Sequence, residues 1–511
     1  MSMSRINPLS VSETLSGKQI FITGVTGFLG KAILERLLRE VPDVAQIHVL
    51  VRGSKGLTGF DRCMKDVVGS SVFDTLRSSL GERFDNLIER KLSVVEGELT
   101  EPLFGLSQEA FDHLANACDL IVNSAASVNF REAMDQALEI NTLSLNNIVA
   151  LAKSGSAEQT PVLQISTCYV NGLNRGIISE DVLRPASGLI DPIDRETYEI
   201  APVIDRIQQK IERIKERFSS NEKSEQKLIE LGIQQSRHYG WNDTYTFTKW
   251  LGEQLLIQGL SKQSLTLLRP SIIESAWTSP QPGWVEGVKV ADALIYAYAK
   301  GRVSIFPGED RGILDVIPVD LVANSAILSS AQLLAGQKNV RIYQCCSGTA
   351  NPIRLKDFIA HIMQASREQY TELPKLFSKK PEHSFKTVST QKFQLYMSAL
   401  TTFTWVKTSV GRLMGSHSAN SLMTKVKTTA SLAVIFGFYT AARYRFESRK
   451  LEQLQARFSL EEQKRFNTRA DQYDWRTYLQ KVHLPGLHRF ALADKPELEP
   501  TASTDAERKV A

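Results

Sequence analysis

Short apolar runs alternate with amphipathic segments along the first two thirds of the chain. Gln19–Gly24 and Gln46–Arg52 are apolar runs of strand length, and Lys31–Glu40 between them repeats its apolar positions at a helical period. The later apolar runs are Ser93–Glu98, Leu120–Ala125, Val162–Thr167 and Leu265–Arg269, and helical patterns such as Ala137–Ala152 separate them. This alternation predicts an α/β fold, a doubly wound parallel sheet of the Rossmann type with helices on both faces.

Two parts of the chain depart from this alternation. Between about residues 196 and 238, apolar residues recur at spacings of three and four, which predicts an amphipathic helix or helical hairpin. We interpret it as an insertion packed on the main domain, with a lid or a dimer contact as the alternative. From about residue 355 the pattern becomes mostly helical. The predicted divisions are a flexible N-terminus at 1–16, a Rossmann domain at 17–354, a helical C-terminal domain at 355–491 and a disordered tail at 492–511.

Composition excludes several classes of protein. Hydrophobic residues make up 42% and charged residues 23% of the 511 residues, which is typical of a globular chain. The five cysteines show no CxxC pairing, so we expect neither a disulfide scaffold nor a zinc module, and a cytoplasmic location is favoured. We expect no signal peptide and no membrane-spanning helix. His483 and His488 have no carboxylate partner nearby in the sequence, so we expect no metal, and no nucleic-acid module is evident.

A glycine-rich segment, TGVTGFLG, lies between the first predicted strand and the first predicted helix. Its glycines permit a tight turn, backbone approach to a pyrophosphate and close contact between helix and strand. A plain tight turn is the alternative, but the flanking strand and helix favour dinucleotide binding. The candidate cofactor-binding residues of this segment are Gly24, Thr26, Gly27, Phe28, Leu29 and Gly30.

The residues that follow the next three strands also face the predicted cofactor. Arg52 stands where a carboxylate would bind the ribose of NAD, and its guanidinium suits a 2′-phosphate, so we favour NADPH, with Lys55 as a helper. An exposed basic residue in a loop is the alternative. Glu98 and Leu99 are placed near the adenine, and Ala125 lies in a small-residue segment, NSAASVNF, expected beneath the cofactor or simply packed on the strand.

Candidate acid–base chemistry comes from Tyr245 and Lys249, which are four residues apart on a predicted helix and share one face. A nearby ammonium favours the tyrosinate and lowers the tyrosine pKa, and the phenol then exchanges a proton with an oxyanion. Ser166 or Thr167 ends the fifth strand and is suited to hydrogen-bond a substrate carbonyl, and we prefer Thr167. Asn141 holds a water in a proton relay or caps its helix; both interpretations stay open.

Together, TGVTGFLG, ISTCYVNG and YTFTK resemble the extended short-chain dehydrogenase/reductase superfamily over about residues 17–350. VLVRG, GWVEG and the ending YDWRTYLQKVHLPGLHRF make the chain similar, more specifically, to the alcohol-forming fatty acyl-CoA reductases of the bacterial type. Pro270 and Ile272 of the matching segment LRPSII join the expected cofactor site. One departure is Asn123, where many members carry His.

The resemblance implies reduction of a long-chain fatty acyl-CoA to the primary alcohol with NADPH, by way of an aldehyde. Thr167, Tyr245 and Lys249 are then the catalytic residues, and the substrates are acyl-CoA or fatty aldehyde. Alternatives are another extended reductase, acting on a sterol, a sugar nucleotide, a carrier-bound thioester or fatty aldehyde only, and a cofactor-binding regulator without chemistry. The oligomeric state stays open.

The net charge of +5 conceals an uneven distribution. Residues 373–450 hold 13 Lys and Arg against two Glu, a balance of +11, which leaves −6 for the rest of the chain. The apolar stretch LAVIFGF lies in this basic segment. We interpret residues from about 425 to 445 as a peripheral membrane contact, as a buried core helix, or as a site for the phosphates of CoA.

Overall fold

Contacts divide the chain into two compact units. The computed structural model describes residues 8–54, 56–155, 159–218, 220–260, 264–299, 305–336, 341–377, 380, 386–389, 391–393, 395–399 and 437–492. Unit 1 comprises Met1–Gln281, Val316–Ala350 and Phe446–Gln472, and unit 2 comprises Pro282–Asp315, Asn351–Arg445 and Tyr473–Ala511. The domain limits drawn from the sequence stay predictions.

A seven-stranded parallel sheet forms the centre of unit 1. Its strands, with others of the chain counted in sequence order, are β1 (Gln19–Thr23), β2 (Gln46–Val51), β3 (Leu92–Glu96), β4 (Leu120–Asn123), β5 (Val162–Ile165), β7 (Leu265–Pro270) and β12 (Arg341–Cys345). The spatial order is β3-β2-β1-β4-β5-β7-β12, and every neighbouring pair is parallel. The order runs outward in both directions from β1 and β4, which confirms the predicted doubly wound fold.

Helices connect and cover these strands. Those of unit 1 are α1 (Val11–Leu15), α2 (Phe28–Glu40), α3 (Gly59–Arg62), α4 (Asp74–Leu80), α5 (Arg83–Lys91), α6 (Gln108–Ala117), α7 (Met134–Leu138), α8 (Leu145–Ser154), α9 (Ala201–Arg217), α10 (Asn221–Tyr239), α11 (Thr244–Gly259), α13 (Val319–Leu334), α15 (Arg449–Gln455) and α16 (Leu460–Arg465). The short strands of this unit are β6 (Gly176–Ile178), β8 (Ile272–Glu274) and β11 (Val316–Pro318), and β8 pairs with β11 in parallel.

Apolar side chains of the strands form the core of unit 1 because both faces of the sheet are covered. Phe21, Ile121 and Leu267, from three of the strands, are fully buried in one cluster. The inserted hairpin of α9 and α10 packs through its apolar stripe, in which Ile207 and Leu228 are buried. The lysine and glutamate residues on the opposite face of the hairpin are exposed.

Unit 2 is built from short strands and helices. Its elements are α12 (Val290–Ala299), α14 (Leu355–Glu368), β9 (Ile305–Pro307), β10 (Ile313–Leu314), β13 (Ile353–Arg354) and β14 (Lys386–Val388); β15 (Tyr444–Phe446) ends at its boundary. Helical turns follow one another over 475–491. His483, expected at the surface or in packing, is buried with its Nε2 2.9 Å from Asp292 Oδ1. Within the described residues, no helix is both long and apolar enough to cross a membrane.

Candidate active site

The glycine-rich segment forms a tight turn between β1 and α2. Gly24 has a φ of +74°, and a Cβ at this position would lie 2.5 Å from the Ala125 backbone nitrogen. A Cβ at Gly30 would lie 2.1 Å from the Gly24 carbonyl oxygen. Both positions therefore require glycine, since a side chain would collide with backbone that cannot move aside.

The start of α2 is suited to an anion. Gly27 occupies the N-cap position and is exposed, no side chain caps the helix, and its first turn carries no acidic residue. Thr26 and Phe28 beside it are partly buried, and Leu29 is buried. Because the first amide groups of a helix attract negative charge, this turn fits the pyrophosphate of a dinucleotide.

Arg52 and Glu98 lie together beyond the ends of β2 and β3. The Arg52 Nη1 donates to Glu98 Oε2 at 3.1 Å, and both side chains are partly exposed, at 40% and 33%. Leu99 next to them is buried. The guanidinium is thus held at the strand edge by a single carboxylate contact, with part of its surface open to a ligand.

Thr167 and Tyr245 meet beyond the carboxyl end of β5. The Tyr245 side chain is partly buried at the start of α11, and its hydroxyl faces the Thr167 hydroxyl closely enough for the threonine to influence the tyrosine pKa. Asp243 caps this helix by accepting from the Thr246 backbone nitrogen at 2.9 Å, which fixes where α11 begins. The Thr167 hydroxyl also faces the Pro270 carbonyl at 3.4 Å. The structure therefore brings together the two hydroxyl groups that the sequence nominated.

Burial governs the titration of Tyr245. It raises the pKa of the hydroxyl above its ordinary value, and the nearby Thr167 hydroxyl opposes that shift. The sequence suggested the opposite direction, on the assumption that the Lys249 ammonium stabilises a tyrosinate. That suggestion was wrong because desolvation of the phenol dominates its pKa, whereas the Lys249 ammonium donates to the Ile165 carbonyl. Tyr245 is accordingly protonated at neutral pH and suited to donate a proton.

Lys249 lies one turn along α11 and is buried. Its Nζ donates to the Ile165 backbone carbonyl at 2.8 Å. Burial lowers the pKa of this lysine to about 8, and the carboxylate of Glu253 opposes the shift. Glu253 in turn forms a fully buried bidentate pair with Arg269, at 2.9 and 2.6 Å.

Asn141 forms hydrogen bonds with the backbone of the segment that follows β4. Its side chain accepts from the Ser127 backbone nitrogen at 2.9 Å and donates to the Ser127 carbonyl at 3.1 Å. The same amide nitrogen lies 3.1 Å from the Thr248 hydroxyl of α11. Phe130 from this segment packs edge-on against the Tyr245 ring, with centroids 5.7 Å apart. Asn141 thus joins the segment to the helix that carries the tyrosine.

The remaining nominated residues lie around this centre. Pro270 ends β7 and contacts Thr167, and Ile272 is buried in the short strand β8. The thiol of Cys168 donates to the Arg269 carbonyl at 2.9 Å and is fully buried, which gives it a packing role. Ser166, the other hydroxyl considered, is buried without a hydrogen-bond partner among the described residues. Lys55 lies outside the described residues.

Sequence matches agree with this arrangement. The family model described as male sterility protein, NAD-binding, matches residues 22–326, and a second model, described as male sterility protein and named Sterile, matches residues 391–494. Fatty acyl-CoA reductase 2, chloroplastic, of Arabidopsis thaliana is 30% identical over 503 residues, covering 95% of this chain and 80% of that protein. The chain belongs to the fatty acyl-CoA reductase family. The alcohol-forming fatty acyl-CoA reductase of Simmondsia chinensis is also 30% identical, over 94% of this chain and 98% of that protein.

Solved structures share the fold of this reductase. The terminal R domain of the myxalamid PKS-NRPS pathway has a TM-score of 0.57 at 18% identity, covering 95% of this chain and 93% of that domain. The R domain of a nonribosomal peptide synthetase from Mycobacterium tuberculosis has a TM-score of 0.53 at 16% identity. At such low identity these likenesses support the fold alone. With the NAD-binding family match, the chain is an oxidoreductase with a nicotinamide cofactor.

Two buried polar residues form hydrogen bonds in the candidate active site of this reductase and were not predicted as site residues. Gln164 of β5 donates to the Ile165 carbonyl at 2.8 Å, the same oxygen that receives Lys249. Asn123, noted only as a departure from the family pattern, donates to Gln164 at 2.7 Å. The feature of the sequence that could have identified them as site residues is that both are polar within otherwise apolar strands.

Proposed function

We propose that this chain reduces long-chain fatty acyl-CoA to the primary fatty alcohol with NADPH, by way of the aldehyde, and releases CoA. The observation that carries the proposal is that one sheet presents both the facing hydroxyl groups of Thr167 and Tyr245, after β5, and a glycine turn after β1 that fits a dinucleotide. The fatty acyl-CoA reductases of Arabidopsis thaliana and Simmondsia chinensis, which match nearly the whole chain, support the substrate class.

Thr167 and Tyr245 are the groups that handle the substrate oxygen. A thioester carbonyl held by both hydroxyl groups develops negative charge on its oxygen when the carbonyl carbon is reduced, and two donors stabilise that charge. Tyr245 retains its proton at neutral pH because burial raises its pKa, so it is able to protonate the oxygen. When bound, the nicotinamide supplies the hydride for each of the two reductions.

Lys249 supports Tyr245 rather than ionising it. Its ammonium is anchored to the Ile165 carbonyl one helical turn from the tyrosine, and it is suited to hold the nicotinamide ribose. The same groups serve both reductions, because the carbonyl oxygen of the thioester is retained as the aldehyde oxygen when the hemithioacetal expels CoA as the thiol. Cys168 is packed against the Arg269 carbonyl, so we propose no covalent acyl-enzyme.

The preference for NADPH over NADH rests on Arg52. A guanidinium at the end of β2 pairs with a 2′-phosphate, whereas a carboxylate there would bind the ribose hydroxyl of NAD. Glu98 holds Arg52 at 3.1 Å while leaving it 40% exposed, and this supports its availability to a phosphate.

The proposed location is the cytoplasm, with contact to a membrane through about residues 425–445. Residues 425–436 of that segment lie outside the described residues, so the contact rests on sequence alone. The high basic charge of residues 373–450 supports binding either to anionic lipid or to the phosphates of CoA.

The proposal is tested by supplying NADPH with palmitoyl-CoA and, separately, with palmitaldehyde, while following absorbance and free thiol. We expect NADPH loss with both substrates and thiol release only with the thioester. Loss with the aldehyde alone would identify an aldehyde reductase. No loss with either substrate would refute the proposal.

A further inference from the structure

Three polar side chains lie side by side across the centre of the sheet. Thr23, Asn123 and Gln164 are directly opposite one another in the register of β1, β4 and β5. Residues opposite one another on neighbouring strands point to the same face, so they form one row. All three are at most 2% exposed.

These side chains form a continuous chain of hydrogen bonds, which we term the amide ladder. The Thr23 hydroxyl donates to Asn123 Oδ1, and Asn123 Nδ2 donates to Gln164 Oε1 at 2.7 Å. Gln164 Nε2 then donates to the Ile165 carbonyl at 2.8 Å. Gln164 has its carbonyl toward the Asn123 NH₂ and its own NH₂ toward the Ile165 carbonyl, so reversing this amide would break two bonds.

The amide ladder connects two parts of the candidate active site. At one end, the Thr23 hydroxyl accepts from the Ala125 backbone nitrogen at 3.3 Å, beside the turn at Gly24. At the other end, the Ile165 carbonyl accepts from both Gln164 and Lys249, each at 2.8 Å. A carbonyl oxygen has two lone pairs, and these two donors use both.

Burying two side-chain amides in an apolar sheet is unfavourable unless each polar atom is paired. Apolar residues at the same positions would fill the space without that cost, as Leu267 does next to Gln164 on β7. The amides are therefore not needed to fill the core. Their contribution is to orient the Ile165 carbonyl through hydrogen bonds.

We propose that Gln164 is a positioning residue for Lys249: it orients the Ile165 carbonyl that anchors the lysine ammonium, and through Asn123 it ties that anchor to the glycine-rich turn. The role in turnover rests on the proposed reductase function, whereas the placement of the lysine does not. The two parts are therefore tested separately.

The placement is tested on the full chain without cofactor by competitive acetylation with acetic anhydride and mass spectrometry. Gln164→Met keeps the length of the side chain and removes both hydrogen-bonding groups. We expect acetylation of Lys249 to rise about three- to tenfold relative to Lys31, the range that one hydrogen bond supports. Lys31 on α2 is 5% exposed and reports general loosening, which would raise both lysines equally. An unchanged or lower ratio would overturn the proposal.

The effect on turnover is tested with NADPH deuterated at the transferred position. In Gln164→Met we expect kcat to fall about tenfold or more, the acyl-CoA KM to stay unchanged and the isotope effect on kcat to increase, since misplacing an active group slows the chemical step. A smaller folded fraction would lower the apparent kcat without changing the isotope effect. Unchanged kcat and isotope effect would contradict the role in turnover, whereas an inactive wild type would refute the proposed function instead.

Two further variants complete the test. Thr266→Val is the control, because Thr266 on β7 is equally buried and its hydroxyl has no hydrogen-bond partner among the described residues. We expect it to leave the labelling ratio and the isotope effect unchanged. Asn123→Met breaks the next link of the amide ladder, and it decides the question if Gln164→Met does not fold. A higher labelling ratio in Asn123→Met supports the proposal, and a wild-type ratio overturns it.

Discussion

The hydroxyl groups of Thr167 and Tyr245 face each other, although one residue caps the turn that follows β5 and the other lies in the first turn of α11. A carbonyl oxygen between them would meet two donors at once. Burial keeps the pKa of Tyr245 above its ordinary value, so the tyrosine retains its proton at neutral pH, as the proposed role of proton donor requires.

Removing the Tyr245 hydroxyl is expected to abolish most of the activity. Tyr245→Phe retains the ring that packs against Phe130 and loses the proton donor. We expect kcat to fall about 10²- to 10⁴-fold, the range for a lost general acid, while NADPH binding measured by fluorescence titration stays the same. Tyr239→Phe is the control, because Tyr239 is a buried tyrosine that stacks on Phe247 in the same unit. Near-normal kcat in Tyr245→Phe would refute the acid role.

The pH profile is expected to follow Lys249. Burial lowers its pKa to about 8, so the ammonium is present below that value and is lost as the pH rises through it. Tyr245 keeps its proton over the same range because its pKa is raised. We therefore expect kcat with palmitoyl-CoA to be constant below about pH 7 and to decline above about pH 8. A profile that rises through this range would show that the neutral amine is the active form.

The buried pair of Glu253 and Arg269 is expected to matter for stability. Glu253→Gln leaves an uncompensated guanidinium in the interior, which typically costs about 3–5 kcal/mol of unfolding free energy. Denaturant titration measures this loss. Glu230→Gln is the matched control, because Glu230 pairs with Lys227 at the surface and such pairs contribute at most about 1 kcal/mol. Equal losses in the two variants would contradict the assignment.

Cofactor preference is expected to depend on Arg52. Arg52→Ala removes the proposed partner of the 2′-phosphate, and a charge-assisted hydrogen bond of about 1.5–3 kcal/mol predicts roughly a 10- to 100-fold weaker NADPH affinity. NADH, which lacks that phosphate, is expected to bind as before. Arg90→Ala at the exposed end of α5 serves as the control. If both cofactors weaken equally, Arg52 has a structural role and does not select NADPH.

Much of the fold and part of the site follow from local sequence. The requirement for glycine at Gly24 and Gly30 concerns a turn of a few residues, and the placement of Tyr245 and Lys249 on one helix face concerns a single helical turn, so local spacing nominates both when the two motifs are taken together. The first six strands of the central sheet are apolar runs and were predicted. The seventh, β12, was missed because it lies at the sheet edge and carries the polar Arg341 and Gln344.

Contacts between residues that are far apart in the sequence could not be predicted from local spacing. The Ile165 carbonyl, which accepts from Gln164, also accepts from Lys249 across 84 residues of sequence, and no spacing rule reports such a contact. The direction of the Tyr245 pKa depends on how deeply the folded chain buries the phenol, which spacing does not give. His483 likewise gave no sign of its buried partner Asp292.

The most direct test of the central claim is the stoichiometry of one reaction with limiting palmitoyl-CoA, in which NADPH oxidised, free CoA thiol and hexadecanol are all quantified. The proposed chemistry predicts two NADPH oxidised for each thiol released and each alcohol formed, with alcohol formed about 10²- to 10⁴-fold more slowly by Tyr245→Phe. One NADPH per thiol with aldehyde as the final product, or thiol release without NADPH oxidation, would contradict it.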